Sequence, residues 1–489
     1  MFAADCQLLR NQWEIDMTQS SINEAKTDYD AVRKALSSWG KQNADPETLL
    51  DHLLSVQEAQ EEMNAGDNPA LLRAATSQVL EEAIKDLEKQ NVRSAKVLKL
   101  RFVNKRAIQE VAHAMNFSTH QISRMQRDGI EQLVEILQGR EQDIKRGRAE
   151  SLESLLPPPT FTCLFGVDAL CESLMTHLTA LGPPWVVALV GMGGLGKTAV
   201  ANFITRQLIQ QLTFTHILWI KAAPPHSMNG QSASPSLTYE KIVHEMLTHL
   251  FPGATVPLGL TEREVKVRHA LKSQMYLVVI DNLEAAEDTS FLLNHLQDLA
   301  NPSKFILTTR TRAAKQAAVL DVPLDELGFA DSAALMRHHA AESGVTAVAE
   351  ATDEDLEKIY LQTGGNPFAI KIVVNLLDVL PLNRLLDGLT RNHPGEVMKM
   401  YKHIFWQTWQ TLSENGRKLL QSMPLALEPA DVDYLLTISG LSEGEIWPAI
   451  EELRQRSLLE VEGGLHEKRY GIHRLTDTFL RTEIIHFPL

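Results

Sequence analysis

A short apolar run from Trp185 to Val190 passes directly into Gly191-Met192-Gly193-Gly194-Leu195-Gly196-Lys197-Thr198, a complete GxxxxGK[ST] loop. Few patterns of this length constrain a fold as tightly. The glycines let successive backbone N–H groups turn toward phosphate oxygens, Lys197 offers a point charge to β and γ phosphates, and the Thr198 hydroxyl suits Mg²⁺. A helix opening near Lys197 adds the positive end of its dipole. Such a loop needs a strand before it and a helix after it, so the chain must contain a nucleotide-type α/β layer.

Three further runs fit that layer. Ile217 to Ile220, Tyr276 to Ile280 and Phe305 to Thr308 are short and apolar, and helical patterns separate them, which predicts a parallel sheet. Tyr276-Leu277-Val278-Val279-Ile280-Asp281 ends in a carboxylate able to hold Mg²⁺ directly or through water, the Walker B arrangement. Asn282 cannot act as a base at neutral pH, and Glu284 is either a water-activating carboxylate or a solvated loop residue. Phe305 to Arg310 ends in Thr-Thr-Arg, which puts Arg310 at the same sheet edge, near a γ-phosphate.

At 489 residues the chain has room for roughly three to five domains. Hydrophobic residues make up 44% and charged residues 22%, which excludes disordered and fibrous classes. No apolar run approaches bilayer length and no leader pattern opens the chain, so a soluble, cytoplasmic protein is expected. Cys6, Cys163 and Cys171 form no CxxC pair and read as ordinary buried thiols. Pro157, Pro158 and Pro159 mark a stiff linker between Glu153 and Thr160, and Pro224 to Ser236 reads as a surface loop.

From about Phe161 to the end, the chain resembles the core of STAND-class P-loop ATPases of the NB-ARC type, found in apoptosome-forming ATPases, plant disease-resistance proteins and bacterial regulators. The motifs are GMGGLGKT, LVVIDNLE and FILTTR, then Gly364-Gly365-Asn366-Pro367-Phe368-Ala369 and, near the C-terminus, Tyr470-Gly471-Ile472-His473-Arg474-Leu475. Leu164-Phe165-Gly166-Val167-Asp168 stands where the family carries a Gly-Arg motif beside the adenine, with Val167 in place of the arginine. The resemblance implies ATP/ADP and Mg as ligands. It sets Phe165, Val167, Gly191, Gly193, Gly194, Leu195, Gly196, Lys197, Thr198, Ala199, Pro367 and His473 around the nucleotide. Pro367 would lie against the base and His473 would touch the β-phosphate of ADP. Lys197, Asp281 and Arg310 would carry whatever hydrolysis occurs, at most a slow ATPase acting as a switch, and Thr198 with Asp281 would hold Mg²⁺. It also implies a homo-oligomer in the ATP state. Ligand-sensing repeats usually follow this core, so sensing is expected to fall to a separate sensor or effector protein or to the N-terminal segment, or the chain is a fragment.

The N-terminal region is helical by periodicity at Leu8 to Met17, Leu49 to Leu54 and Leu72 to Leu87, with Asp45-Pro46 and Asn68-Pro69 as helix starts. Its charge splits sharply. Met1 to Val92 carries 8 basic and 17 acidic residues, whereas Arg93 to Arg148 carries 12 basic and 6 acidic, a change from -9 to +6 inside a chain of net charge -15. Arg93 to Ile136 resembles the helix-turn-helix of region 4 in sigma factors. Ile108, Val111, Met115, Phe117, Ile122 and Met125 are spaced to form a small core, which leaves His120, Gln121, Ser123, Arg124 and Arg127 outward as candidate contacts to duplex DNA. Lys96, Lys99, Lys105 and Arg106 would flank the phosphate backbone. The split raises the acidic segment as a mask for the basic face. The alternative is a scaffold whose N-terminal helices recruit a protein on oligomerisation.

These readings give a multidomain α/β plus all-α architecture: an all-α N-terminal region with a helix-turn-helix, a P-loop sheet domain, a helical domain and a winged-helix domain. The expected boundaries are 1–92, 93–148, a linker at 149–160, 161–320, 321–400 and 401–489.

Overall fold

The computed structural model describes residues 27–39, 50–63, 69–222, 235–253, 259–283, 286–310, 319–348, 350–385, 402, 405–406, 408–426, 428–456, 458–464 and 467–485. The pattern at Leu8 to Met17, the Asp45-Pro46 signal, nearly all of the 224–236 loop and Glu284 lie outside the described residues. The chain divides into two compact units, Gln7–Ser151 and Leu152–Leu489.

Among its described residues, the first unit holds helices and no strand. It contains α1 (Tyr29–Ser37), α2 (Leu54–Glu62), α3 (Pro69–Gln90), α4 (Val92–Leu98), α5 (Ile108–Met115) and α6 (Thr119–Glu153), the last running to the unit's end. Leu50 and Leu53 precede α2 instead of opening it, so that helix starts later than its leucine spacing predicts. Val32, Leu36, Val56, Leu80, Ile84 and Leu87 pack with Ala95, Leu98, Ile130, Leu133 and Leu137 in one core. The acidic and basic segments therefore share a core across the change of charge. Ion pairs reinforce the join: Arg140 reaches Glu82 and Asp86, Lys99 reaches Glu88, and Arg148 reaches Glu58.

In the second unit, α7 (Asp168–Thr179) precedes a sheet of five parallel strands. These are β1 (Val186–Val190), β2 (His216–Lys221), β3 (Tyr276–Leu283), β4 (Lys304–Thr309) and β5 (Val319–Pro323), in the order β2-β3-β4-β1-β5. Every residue of β1 and β4 is buried, as strands covered by helices on both faces require. The helices are α8 (Lys197–Gln210), α9 (Pro235–Leu250), α10 (Leu260–Ser273) and α11 (Ala286–Leu299), the last three packing on Val278, Ile280, Phe305 and Leu307. The four apolar runs read from the sequence do not include β5. It is an edge strand, and an edge tolerates both an interrupted apolar pattern and a proline.

Two polar contacts fasten the sheet to its surroundings. Lys304 is only 1% exposed, and its ammonium donates to His177 O at 2.6 Å and Gly182 O at 3.1 Å, covering carbonyls at the end of α7. The proline linker lies along α8, where Pro157 O accepts from Asn202 Nδ2 at 2.9 Å and from Arg206 at 3.0 Å. Cys171 is a buried thiol, pushed up to about 12 by burial. Cys163 is half of a disulfide, which corrects the reading of all three cysteines as thiols.

Beyond the sheet come α12 (Phe329–Ser343), α13 (Asp353–Thr363), α14 (Pro367–Leu376), α15 (Glu414–Ser422), α16 (Val432–Ser439) and α17 (Glu443–Gln455). An antiparallel hairpin follows, β6 (Glu460–Glu462) with β7 (Arg469–Gly471), and then α18 (Arg474–Phe479), a helix not foreseen from sequence. One continuous apolar cluster extends from Leu327 through Val373, Leu420 and Leu453 to Leu480, so these helices and the hairpin share a core.

Candidate functional site

The phosphate loop follows β1 at the C-terminal edge of the sheet. Its start is fixed by Gly191 N donating to Thr309 O at 3.1 Å, which puts the loop beside the end of β4. Gly196 has φ +92, a left-handed conformation that favours glycine, and nothing lies within 4 Å of where its Cβ would stand. Leu195 is buried, while Lys197, Thr198 and Ala199 form the first turn of α8. The Lys197 ammonium folds over its own loop and donates to Gly191 O and Met192 O, both at 2.8 Å.

Asp281 faces this turn from β3. Its Oδ1 accepts from Thr198 Oγ1 at 2.8 Å and from Thr308 Oγ1 at 2.6 Å. Burial pushes the Asp281 carboxyl above the usual range, against the two hydroxyls and the charges of Lys221 and Lys197, which lower it. Thr308 also accepts from Asn282 N at 2.7 Å, and Asn282 has φ +75, so β3 is kinked just past the carboxylate. A hydroxyl and a carboxylate held together in this way are hard oxygen donors suited to Mg²⁺. This donor set beside a glycine loop and a lysine fits a magnesium nucleotide. Arg310 directly follows β4 and is exposed at the same edge.

A second group closes on the loop from α14. Asn366 caps that helix through its side-chain oxygen, which accepts from Phe368 N and Ala369 N, and Pro367 occupies the first turn. The Asn366 amide donates to Gly193 O at 3.1 Å, and Phe368 N donates to Gly194 O at 3.2 Å. Gly365 must be glycine: φ is +73 and a Cβ would stand 2.1 Å from Leu327 O. His473, just past β7, stacks on Phe368 with ring centroids 4.0 Å apart at 26°. Loop, Pro367 segment and His473 thus form one contiguous set of contacts, although 276 residues separate Lys197 from His473 in the sequence.

Phe165 joins the apolar cluster that holds Leu327, as Phe368 does. Phe165 packs against His338 of α12 at 5.5 Å, and Val167 precedes α7 as its N-cap residue. Sequence reasoning missed Asn366, Phe368 and Thr308 as individuals, although each lies inside a motif it had marked. It also missed Lys221, because nothing distinguishes a lysine at a strand end.

In the first unit, the six side chains expected to form a small core do so, joined by Val97, Leu100 and Ala112. Asn116 takes φ +57 at the end of α5, and Ser118 opens α6. His120, Gln121, Ser123, Arg124 and Arg127 are all exposed. Gln121 is partly committed elsewhere, since its carbonyl oxygen accepts from Ser118 N at 2.9 Å in a capping box. Among the described residues, carboxylates of the acidic helices pair with Lys99, Arg140 and Arg148.

A strand, glycine loop and helix with Asp281 set against Thr198 define a P-loop nucleotide-binding ATPase core. Residues 167–326 match the NB-ARC domain family model. The chain is 21% identical over 320 residues to the Transcription activator GutR of Bacillus subtilis, covering 60% of this chain and 37% of that protein. It is 23% identical over 268 residues to Disease resistance protein RPP8 of Arabidopsis thaliana, covering 52% of this chain and 28% of that one. Among solved structures, a STAND protein with a tetratricopeptide repeat sensor from Pyrococcus horikoshii aligns with a TM-score of 0.42 at 18% identity, over 66% of this chain and 43% of that one. The chain thus spans less than two-fifths of the length of these two curated relatives. Residues 167–326 thus carry an NB-ARC domain on a P-loop nucleotide-binding fold. Among the described residues, no helix is long and apolar enough to cross a membrane.

Proposed function

We propose that the chain is a nucleotide-controlled switch whose N-terminal helices deliver the signal to duplex DNA, as a transcription regulator. The observation that carries the reading is the bonding of the phosphate loop to Asn366 and Phe368, with His473 stacked on the latter. One ligand at the loop therefore bears on both the sheet and the C-terminal helices. Lys197 binds the β and γ phosphates, Thr198 and Asp281 hold Mg²⁺, Pro367 supports the base, and His473 lies toward the β-phosphate. Bound Mg²⁺ neutralises phosphate charge. Arg310 lies toward the γ-phosphate, so ADP and ATP differ in what they touch, and only such a difference can move a two-state equilibrium. ADP holds the closed state and ATP the open, oligomeric one.

The DNA output rests on the exposed face at Thr119 to Arg127 and on the likeness to a protein named a transcription activator. Fluorescence anisotropy with a labelled duplex at several salt concentrations tests it. Affinity is expected to fall linearly on a log-log plot as salt rises. Arg124→Ala with Arg127→Ala is expected to weaken binding roughly 10- to 100-fold. No binding by the intact chain at low salt removes the DNA reading and leaves recruitment of a protein by the N-terminal helices.

A further inference from the structure

Lys221 closes β2, and its register partner in β3 is Asp281. The next residue is pinned there too, since Ala222 N donates to Asp281 O at 2.7 Å. The backbone of Lys221 is thus held by the strand that supplies the magnesium-side carboxylate. Its ammonium leaves the sheet and meets Glu462 Oε1 of β6 at 2.9 Å, across 241 residues of sequence. A strand repeats every two residues, so Glu460 shares a face with Glu462. Burial pushes the Glu460 carboxyl up, and the charges acting on it are Lys221, Glu462, Asp281 and Lys371. Asp281 in turn feels Lys221 as well as Lys197. Lys221 is the cation common to three carboxylates, two on the hairpin and one at the nucleotide pocket.

We propose that Lys221 is a positioning residue that ties the charge in the nucleotide pocket to the seating of the β6–β7 hairpin. The inference deepens the nucleotide-switch reading and rests on it. Lys221 pairs with Glu462, and its charge offsets the repulsion that Glu462 and Asp281 exert on Glu460. Reversing its sign sets a fourth negative charge among them and drives the hairpin off. Reversing Glu462 alone opposes two lysines, whereas reversing both restores the pair with its ends exchanged. A divalent cation beside Asp281 acts on the same lysine, so the pocket's charge and the hairpin's hold are linked.

The test uses the full chain as wild type, Lys221→Glu, Glu462→Lys, the double reversal and Lys221→Arg. Release of a fluorescent ADP analogue is followed after a chase with unlabelled ADP. An exposed pair is weak and reversal turns attraction into repulsion, so each single reversal is expected to speed release about 3- to 10-fold, with the double reversal and Lys221→Arg returning to within about 2-fold of wild type. Amide hydrogen exchange at residues 460–471, measured without nucleotide, is expected to rise in the single reversals and recover in the double. Single reversals that leave release unchanged, or a double reversal as fast as the product of the singles, overturn the proposal. So does unchanged exchange in the hairpin. A wild type that holds no nucleotide defeats the site reading instead, and the exchange measurement still decides whether Lys221 seats the hairpin.

Discussion

Lys197→Ala is expected to lower the affinity of the chain for ADP and ATP by roughly 100-fold or more, enough to strip nucleotide from the purified protein. An ammonium has three protons to donate, and two go to Gly191 O and Met192 O. Those bonds hold the charge over the loop before any ligand arrives, so little ordering remains to be done on binding. Removing it takes the loop's own positive charge from the phosphates and forfeits charge-assisted contacts worth about 1.5–3 kcal/mol each. The fold itself is expected to change by no more than about 0.5 kcal/mol, because Lys197 belongs to no apolar core. Wild type is expected to retain ADP or ATP through purification, read by ion-exchange chromatography of the released nucleotide. A variant that still carries nucleotide in wild-type amount removes Lys197 from the site.

The second large effect concerns stability. His339 of α12 is buried, and burial with the nearby charge of Lys371 lowers its pKa from 6.5 to about 4, against Glu342 and Asn375, which raise it. Between those values the unfolded chain holds the proton and the folded chain does not, so stability rises with pH across the window. The contribution is fully present above about pH 6.5 and is lost as pH falls toward 4. A gap of roughly 2.5 pH units at about 1.4 kcal/mol per unit corresponds to about 3 kcal/mol. Urea unfolding of wild type and His339→Gln from pH 7 to pH 4.5 measures it. The two are expected to converge as pH falls, with the variant losing less stability by a margin of that order. Parallel pH profiles would show that His339 titrates alike in both states.

The site was legible from sequence wherever backbone chemistry demands particular residues at fixed spacing. Gly196, Lys197 and Thr198 cannot be rearranged within their loop, and Tyr276 to Asp281 is an apolar strand ending in a carboxylate, so both motifs could be placed at one sheet edge. The same logic gave the small core of Ile108, Val111, Met115, Phe117, Ile122 and Met125 from helical periodicity. β5 escaped because Asp321 and Pro323 break its pattern, and an edge strand needs only one good neighbour. For the acidic helices, net charge by segment does not say which faces meet. Their carboxylates pair with Lys99, Arg140 and Arg148, and the leucines of α6 decide the docking. Lys221 and Glu462 are ordinary surface types in isolation, and only the folded chain sets them 2.9 Å apart.

Nucleotide state is expected to govern the N-terminal output. The affinity of the full chain for one labelled duplex at fixed salt, measured once with ADP and once with Mg²⁺ and a non-hydrolysable ATP analogue, tests this. The two affinities are expected to differ by about 10-fold or more, within the usual range of coupling between linked sites. Equal affinities in both states, with nucleotide shown to be bound in each, would contradict it.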